Sequence, residues 1–196
     1  LEAVTVDTGA AADTLVVNGT SGNDTVSITG TNATMNGQSF SLASEESIVA
    51  NLGDGDDAAT VTGAVGITIA VNGGGPTASD SLTFTGSGAA VTVDLGAGTI
   101  TETGLGVVSD TGIEQVNANA GAAGLTVTGT AQNDTLVVTP SLTANTAQIL
   151  ANGVSPVVQA NTTGTLTVTG GGGAGDVLVY NGTAVNDTIG VAATNI

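Results

Sequence analysis

The amino-acid sequence predicts an all-β chain and, within that class, a parallel β-helix or β-solenoid with short strands and Gly/Asn/Asp corners. Three observations lead there. Strand-like stretches recur about every ten residues, each bounded by Gly, Asn, Asp or Thr. Aromatic residues make up 2% of the chain, with one Tyr, two Phe and no Trp, so the core must be thin and built from Val, Ile, Leu and Ala. The 31 glycines, set against three prolines, suit many tight turns between strands rich in β-branched residues. A tandem β-sandwich is the alternative, and it would use antiparallel hairpins with Asn-Gly turns and large core aromatics.

The strand elements follow in order. An Asp leads an alternating apolar stretch at Asp13 (DTLVV), Asp24 (DTVSI), Asp80 (DSLTF), Asp134 (DTLVV), Asp176 (DVLVY) and Asp187 (DTIGV), and Asp57 (DAATV) is a weaker copy. Strand-like stretches without that Asp are VGITIAV from Val65, AVTVDL from Ala90, IEQVNA from Ile113 and GLTVTG from Gly124. ASEESIVANL, from Ala43, is the one stretch with a helix-like start, and its β-branched residues and terminal Gly count against a helix. The unequal spacing of the Asp cassettes favours a loosely regular coil over a strict roll.

The chain also repeats itself. DTLVVNGTSGNDTVSITGTN from Asp13 aligns without a gap on DVLVYNGTAVNDTIGVAATN from Asp176. Residues 13–32 and 176–195 therefore read as equivalent repeat starts within one elongated domain spanning 1–196. The phrase Gly-Thr-x-x-Asn-Asp occurs at Gly19, Gly129 and Gly182.

Charge narrows the function. Seventeen Asp and Glu face no Lys, Arg or His, for a net charge of −17. No carboxylate can pair with a cationic side chain, so solvent, salt or a bound cation must offset the repulsion. Nothing in the chain can neutralise phosphates, which excludes nucleic acid and anionic membrane surfaces as partners. No apolar run reaches the ~20 residues that a spanning helix needs, so membrane insertion is not expected. A hard divalent cation with oxygen ligands, calcium, is the partner invited. The lack of Cys excludes disulfides and thiolate sites. The chain starts at Leu1 without a signal-like segment, and is expected to be a mature or excised piece of a longer secreted protein.

Several segments resemble the nonapeptide G-G-x-G-x-D-x-U-x, with U a large apolar residue, of the hemolysin-type calcium-binding repeats known as repeats-in-toxin. GTSGNDTVS from Gly19 departs from it only at Thr20. GTAQNDTLV and GTAVNDTIG keep the first Gly, the Asp and the apolar position, while LGDGDDAAT from Leu52 keeps Gly53, Gly55 and Asp57. The stretch AVTVDLGAGTITETG, with GIEQVNANAG, is similar to spacers between such repeats in large bacterial surface proteins and adhesins. The resemblance implies calcium held between turns of successive coils, with Asp24, Asn23 and Gly22, then Asp134 and Asp187, as ligands. Strict tandem copies, which complete the shell of 6–8 oxygens in that family, are missing here. The densest acidic cluster, Asp54, Asp56 and Asp57, is a calcium candidate on charge alone, and Asp13 and Asp176 lead the cassettes next to Asp24 and Asp187. At each of these positions an Asx turn that starts a strand is the alternative, and Glu45 and Glu46 are expected to be exposed.

Catalysis finds little chemistry to use without His, Lys, Arg or Cys. The expected function is a non-enzymatic, secreted structural protein of the cell surface or extracellular matrix: a calcium-stiffened β-repeat module that assembles end to end with copies of itself into a filament. The competing expectation is a calcium-dependent adhesin module binding glycan or ice, suggested by Thr-x-Thr at Thr60/Thr62, Thr83/Thr85, Thr126/Thr128 and Thr167/Thr169.

Overall fold

The computed structural model describes residues 4–6, 9, 11–42, 45–75 and 79–184. Among them the protein is all-β, without a helix, and its strands form two large sheets. The strands are β1 (Val4–Val6), β2 (Thr14–Asn18), β3 (Thr25–Thr29), β4 (Asn32–Met35), β5 (Gln38–Leu42), β6 (Ser47–Gly53) and β7 (Ala58–Thr62). There follow β8 (Thr68–Gly74), β9 (Ser81–Thr85), β10 (Val91–Asp94), β11 (Thr99–Glu102), β12 (Val108–Thr111) and β13 (Gln115–Gly121). The last six are β14 (Leu125–Thr128), β15 (Thr135–Pro140), β16 (Thr146–Ala151), β17 (Val154–Thr162), β18 (Leu166–Thr169) and β19 (Val177–Tyr180).

Eleven strands make one sheet in the order β1-β5-β4-β3-β7-β9-β13-β17-β16-β15-β19, and eight make the other in the order β18-β14-β10-β11-β12-β8-β6-β2. Long parallel runs dominate both: β3, β7, β9, β13 and β17 in the first, β2, β6, β8 and β12 in the second. Outside three hairpin meanders the chain alternates between the sheets, passing from a strand of one to a strand of the other. Antiparallel meanders interrupt the parallel order at β3-β4-β5, β10-β11-β12 and β15-β16-β17. The Asn-Gly turns that the sequence reading assigned to a sandwich do occur, at Asn36-Gly37 and Asn152-Gly153, with both residues of each pair at positive φ. That geometry fits the type I′ turn that a twisted hairpin prefers.

Strict alternation of buried and half-buried residues, as in β6, β8 and β13, turns one side of each strand inward. Parallel register then stacks like on like: Ile28, Val61, Phe84, Ala118 and Ala160 form one inward column. The bulky Phe84 lies between Val61 and the small Ala118, which keeps the layer at even thickness. A single apolar cluster draws on both sheets, and Phe84 is its largest fully buried side chain. The stretch with the helix-like start forms β6 from Ser47 onward. Glu45, expected at the surface, is instead buried, while Glu46 is exposed. Glu45 stands two residues before β6, where the inward alternation that starts with Ile48 begins.

The strands led by Asp13 and Asp176 lie in different sheets, β2 in the eight-stranded one and β19 in the eleven-stranded one. Residues 185–196, with Asp187 and most of the second repeat start, lie outside the described residues. A different internal match is built into the sheets. The order β1-β5-β4-β3-β7 recurs, with the same parallel and antiparallel senses, as β13-β17-β16-β15-β19. Its sequence marks are Leu15, Gly19, Thr20, Asn23, Asp24 and Thr25 against Leu125, Gly129, Thr130, Asn133, Asp134 and Thr135.

Candidate functional site

The phrase Gly-Thr-x-x-Asn-Asp builds a closed corner between the two sheets. Asp24 Oδ2 accepts the Thr20 N–H at 2.6 Å and the Thr20 hydroxyl at 3.1 Å, while Asn36 Nδ2 donates to Oδ1. Asn36 sits in the hairpin turn at φ 50 and its own Oδ1 accepts the Thr25 N–H at 2.9 Å. Asp134 repeats the arrangement with the Thr130 N–H (2.6 Å), the Thr130 hydroxyl and Asn152 Nδ2 (2.6 Å). A Cβ on Gly19 would lie 2.0 Å from the Leu52 carbonyl oxygen and 2.7 Å from Asp24 Oδ2, which is why Gly opens the phrase.

The consequence is electrostatic. Donation from the Thr20 N–H, then from Asn36, holds the Asp24 carboxyl below the usual aspartate range. At Asp134 desolvation pushes upward, but donation from Thr130 and Asn152 outweighs it and the carboxyl is again held down. Both corners use their carboxylates as hydrogen-bond hubs that accept from the Thr four residues upstream, not from two residues ahead as in an Asx turn. Replacing Asn36 with Ala should cost about 2 kcal/mol, through the lost bonds and an Ala forced to positive φ. Asn36→Gly, free of the conformational part, should cost about half that. Urea denaturation of the two variants checks it, and equal losses would contradict the turn geometry.

Beyond its own turn, each corner is tied to the next strand start in its sheet. The Asp24 N–H donates to Asp57 Oδ1 (2.7 Å), the Asp57 N–H to Asp80 Oδ1 (2.8 Å), and the Asp80 N–H to Glu114 Oε2 (2.8 Å). These four residues each stand one position before a strand of the parallel run, so the register that stacks the core also stacks the carboxylates. The same device joins Asp134 N–H to Asp176 Oδ1 (2.9 Å) and, on the other sheet, Asp13 N–H to Glu46 Oε2 (2.8 Å). Asp57 and Asp80 are 2% and 0% exposed, and the Oδ2 atom of each is buried without a partner. Burial, reinforced by neighbouring carboxylates, pushes both carboxyls above the usual range in spite of the N–H each accepts.

The predicted ligands therefore part company. In the Asp54–Asp57 loop, Asp57 enters the buried column, whereas Asp56 lies exposed, donates its N–H to Asn23 Oδ1 (3.0 Å) and accepts the Ser79 N–H (3.0 Å). Asp54 is exposed, as is Gly22, whose N–H bonds the Thr20 hydroxyl. Asp13 is half-buried, with an unpartnered Oδ2, and Asp176 is exposed. Among the described residues no three carboxylates converge on one point where they could hold a metal ion, because the column spaces them along the stack.

Sequence reasoning missed two residues of the column as site members, Asp80 and Glu114. The signal was available: an acidic residue immediately ahead of each strand. It also missed Glu102, which is 4% exposed and accepts from the Ser87 N–H, the Ser87 hydroxyl and the Ala89 N–H. Desolvation raises the Glu102 carboxyl, but those donors win and hold it low. On the outer face a second ladder runs Asn18, Asn51, Asn72 and Thr111, with bonds of 2.8, 2.6 and 2.7 Å between successive side chains. Comparison with protein-family models, with curated proteins and with solved structures finds no match.

Proposed function

We propose that the chain is a non-enzymatic, secreted structural module of the cell surface or extracellular matrix. In this reading the two sheets are the walls of a degenerate repeats-in-toxin β-solenoid, interrupted by hairpins, and copies or repeats join end to end. The observation that carries it is the column of stacked corner carboxylates, each tied to the next coil's backbone, in a chain with 17 carboxylates and no cationic side chain. Such a stack resists bending because each rung is bonded through backbone, corner and core at once. Its self-repulsion leaves a role for calcium, which the exposed Asp54, Asp56 and Asp176 at the corners can meet from solvent.

Calcium at ten times its dissociation constant would add about 1.4 kcal/mol to folding, a rise of about 2–4 °C in Tm for a chain of this size. Calorimetry in calcium and in excess chelator measures this, and identical melting curves remove calcium from the mechanism.

A second reading, an adhesin module binding glycan or ice, draws on the outward threonines. Thr92, Thr126 and Thr167 stand in register across three strands, and Thr128 and Thr169 across two. Binding on a glycan array, or ice shaping, would favour this reading over the structural one.

A further inference from the structure

We propose that the C-terminal edge of one copy, β18 and β19, receives the N-terminal edge, β2 and β1, of a second copy, continuing both sheets in parallel as a head-to-tail joint. The proposal rests on the structural reading above and identifies the surfaces that make the assembly.

Among the described residues, nothing packs over the inward-facing side chains of β19. Leu178 and Tyr180 pair in register with Leu136 and Val138, which are 2% and 6% exposed, yet are themselves 60% and 43% exposed. The matching positions of the earlier repeat, Ala59 and Val61 of β7, are 2% and 0% exposed because β9 lies beside them.

Among the described residues β1, β2, β18 and β19 each have one open edge, and each of these edges has an occupied twin inside the molecule. The edge of β19 corresponds to the edge of β7 taken by β9, and the edge of β18 to that of β6 taken by β8. The edge of β1 corresponds to that of β13 taken by β9, and the edge of β2 to that of β14 taken by β10. The sequence carries the same match, Leu1-Glu2-Ala3-Val4 against Ile113-Glu114-Gln115-Val116. An apolar cleft lined by Leu15, Val17, Met35 and Phe40 opens beside β2.

Strand direction decides the symmetry. Following the pairings through each sheet, β18 runs in the same sense as β2, and β19 in the same sense as β1. A copy translated along the stack meets the open edge with parallel strands. A two-fold contact between like edges would pair them antiparallel and stop at a dimer. A translated contact is heterologous and leaves a free edge at each end, so it grows a polar filament.

The test is sedimentation velocity with electron microscopy on the full chain, up to about 1 mM protein and at about 0.5 M NaCl to screen the like charge. The wild type should form linear chains that lengthen with concentration. Leu178→Asp/Tyr180→Asp should stay monomeric with an unchanged melting curve, since the altered side chains are exposed. It keeps its N-terminal edge, so a tenth part mixed into wild type should terminate growth at about ten copies. Val177→Asp, on the outward face of the same strand, should assemble normally. A wild type that stays monomeric, assembly that stops at two, or indifference to the double substitution would each overturn the joint. A monomer that still gains stability from calcium leaves the stiffened-module reading standing, whereas chains that form with no calcium effect support the joint and remove the metal.

Discussion

Gly74→Ala is expected to lower the unfolding free energy by about 3–5 kcal/mol. Gly74 ends β8 at φ 122, a conformation that side-chain-bearing residues rarely adopt. A Cβ there would lie 1.8 Å from the Gly53 carbonyl oxygen and 2.8 Å from its carbon, backbone that no rotamer change can move aside. Gly53 is the register partner of Gly74 on β6 and meets the Thr20 carbonyl in the same way, its own Cβ position being 2.3 Å from that oxygen. Backbones thus touch at the ends of neighbouring strands β6 and β8, beside the corner carboxylates. Gly88→Ala separates the two contributions: Gly88 has nearly the same φ, 121, but nothing within 4 Å of its Cβ position. It should cost only the conformational part, about 1–2 kcal/mol. Urea denaturation of both variants checks the difference, and equal losses would mean that the corner has room to relax.

The all-β class was legible because its signals are local. Apolar residues alternate with small or polar ones in Ala59-Thr60-Val61-Thr62 of β7, Ile69-Ala70-Val71-Asn72 of β8 and Leu125-Thr126-Val127-Thr128 of β14, and a Gly follows each run. Strand partnership was not, because the intervals between stacked positions are unequal. Asp24, Asp57, Asp80 and Glu114 are consecutive rungs separated in sequence by 33, 23 and 34 residues. Hairpins such as β4-β5 and β10-β11 fill some intervals and leave others short, which hides the period. The ASEESIVANL stretch shows the same limit. Its acidic start looks like a helix N-terminus, yet the Glu46 carboxylate serves the Asp13 N–H, 33 residues away, while Ile48, Ala50 and Leu52 alternate inward.

The corner phrase was legible as a turn and only half legible as a site. Thr20 is four residues from Asp24, so a local turn was readable from sequence, although the carboxylate closes it onto the upstream Thr20 N–H and not as an Asx turn. Asn36 is twelve residues away and reaches Asp24 only because a hairpin folds back, which nothing near Asp24 announces. The alignment of Asp13 with Asp176 matches residues that favour strand starts in general, and its two strands occupy different sheets. The match of Gly19 with Gly129 extends to the hairpin, where Asn36 and Asn152 play the same part although the intervening loops differ in length.

Two carboxylates of one column should respond to neutralisation with opposite signs. Asp24→Ala removes the acceptor for the Thr20 N–H, the Thr20 hydroxyl and the Asn36 amide, in a residue 1% exposed, and should cost about 3 kcal/mol at pH 7. Asp80→Asn keeps an oxygen to accept the Asp57 N–H while removing a charge that burial and three neighbouring carboxylates, Asp57, Glu114 and Asp56, oppose. It should raise stability at pH 7, by less than about 1 kcal/mol, since the buried amide brings N–H groups of its own that need acceptors. The pH dependences differ in the same way. The folded-state pKa of Asp24 is lowered, so its contribution is fully present above the unfolded value of about 3.9 and fades as pH falls through the folded value beneath it. The deficit of Asp24→Ala should therefore shrink only in acid below that range. The folded-state pKa of Asp80 is raised, so its ionisation destabilises the fold progressively as pH rises from about 3.9 through the folded value. The advantage of Asp80→Asn should accordingly be greatest at neutral pH and vanish on acidification toward 3.9, before the Asp24→Ala deficit begins to close. Melting temperatures of the two variants and the wild type between pH 3 and pH 8 give both curves. A loss of stability in Asp80→Asn at pH 7 would mean that its amide nitrogen is worse placed beside Gly73 than the carboxylate oxygen it replaces, and the column would then be held together by its charges rather than in spite of them.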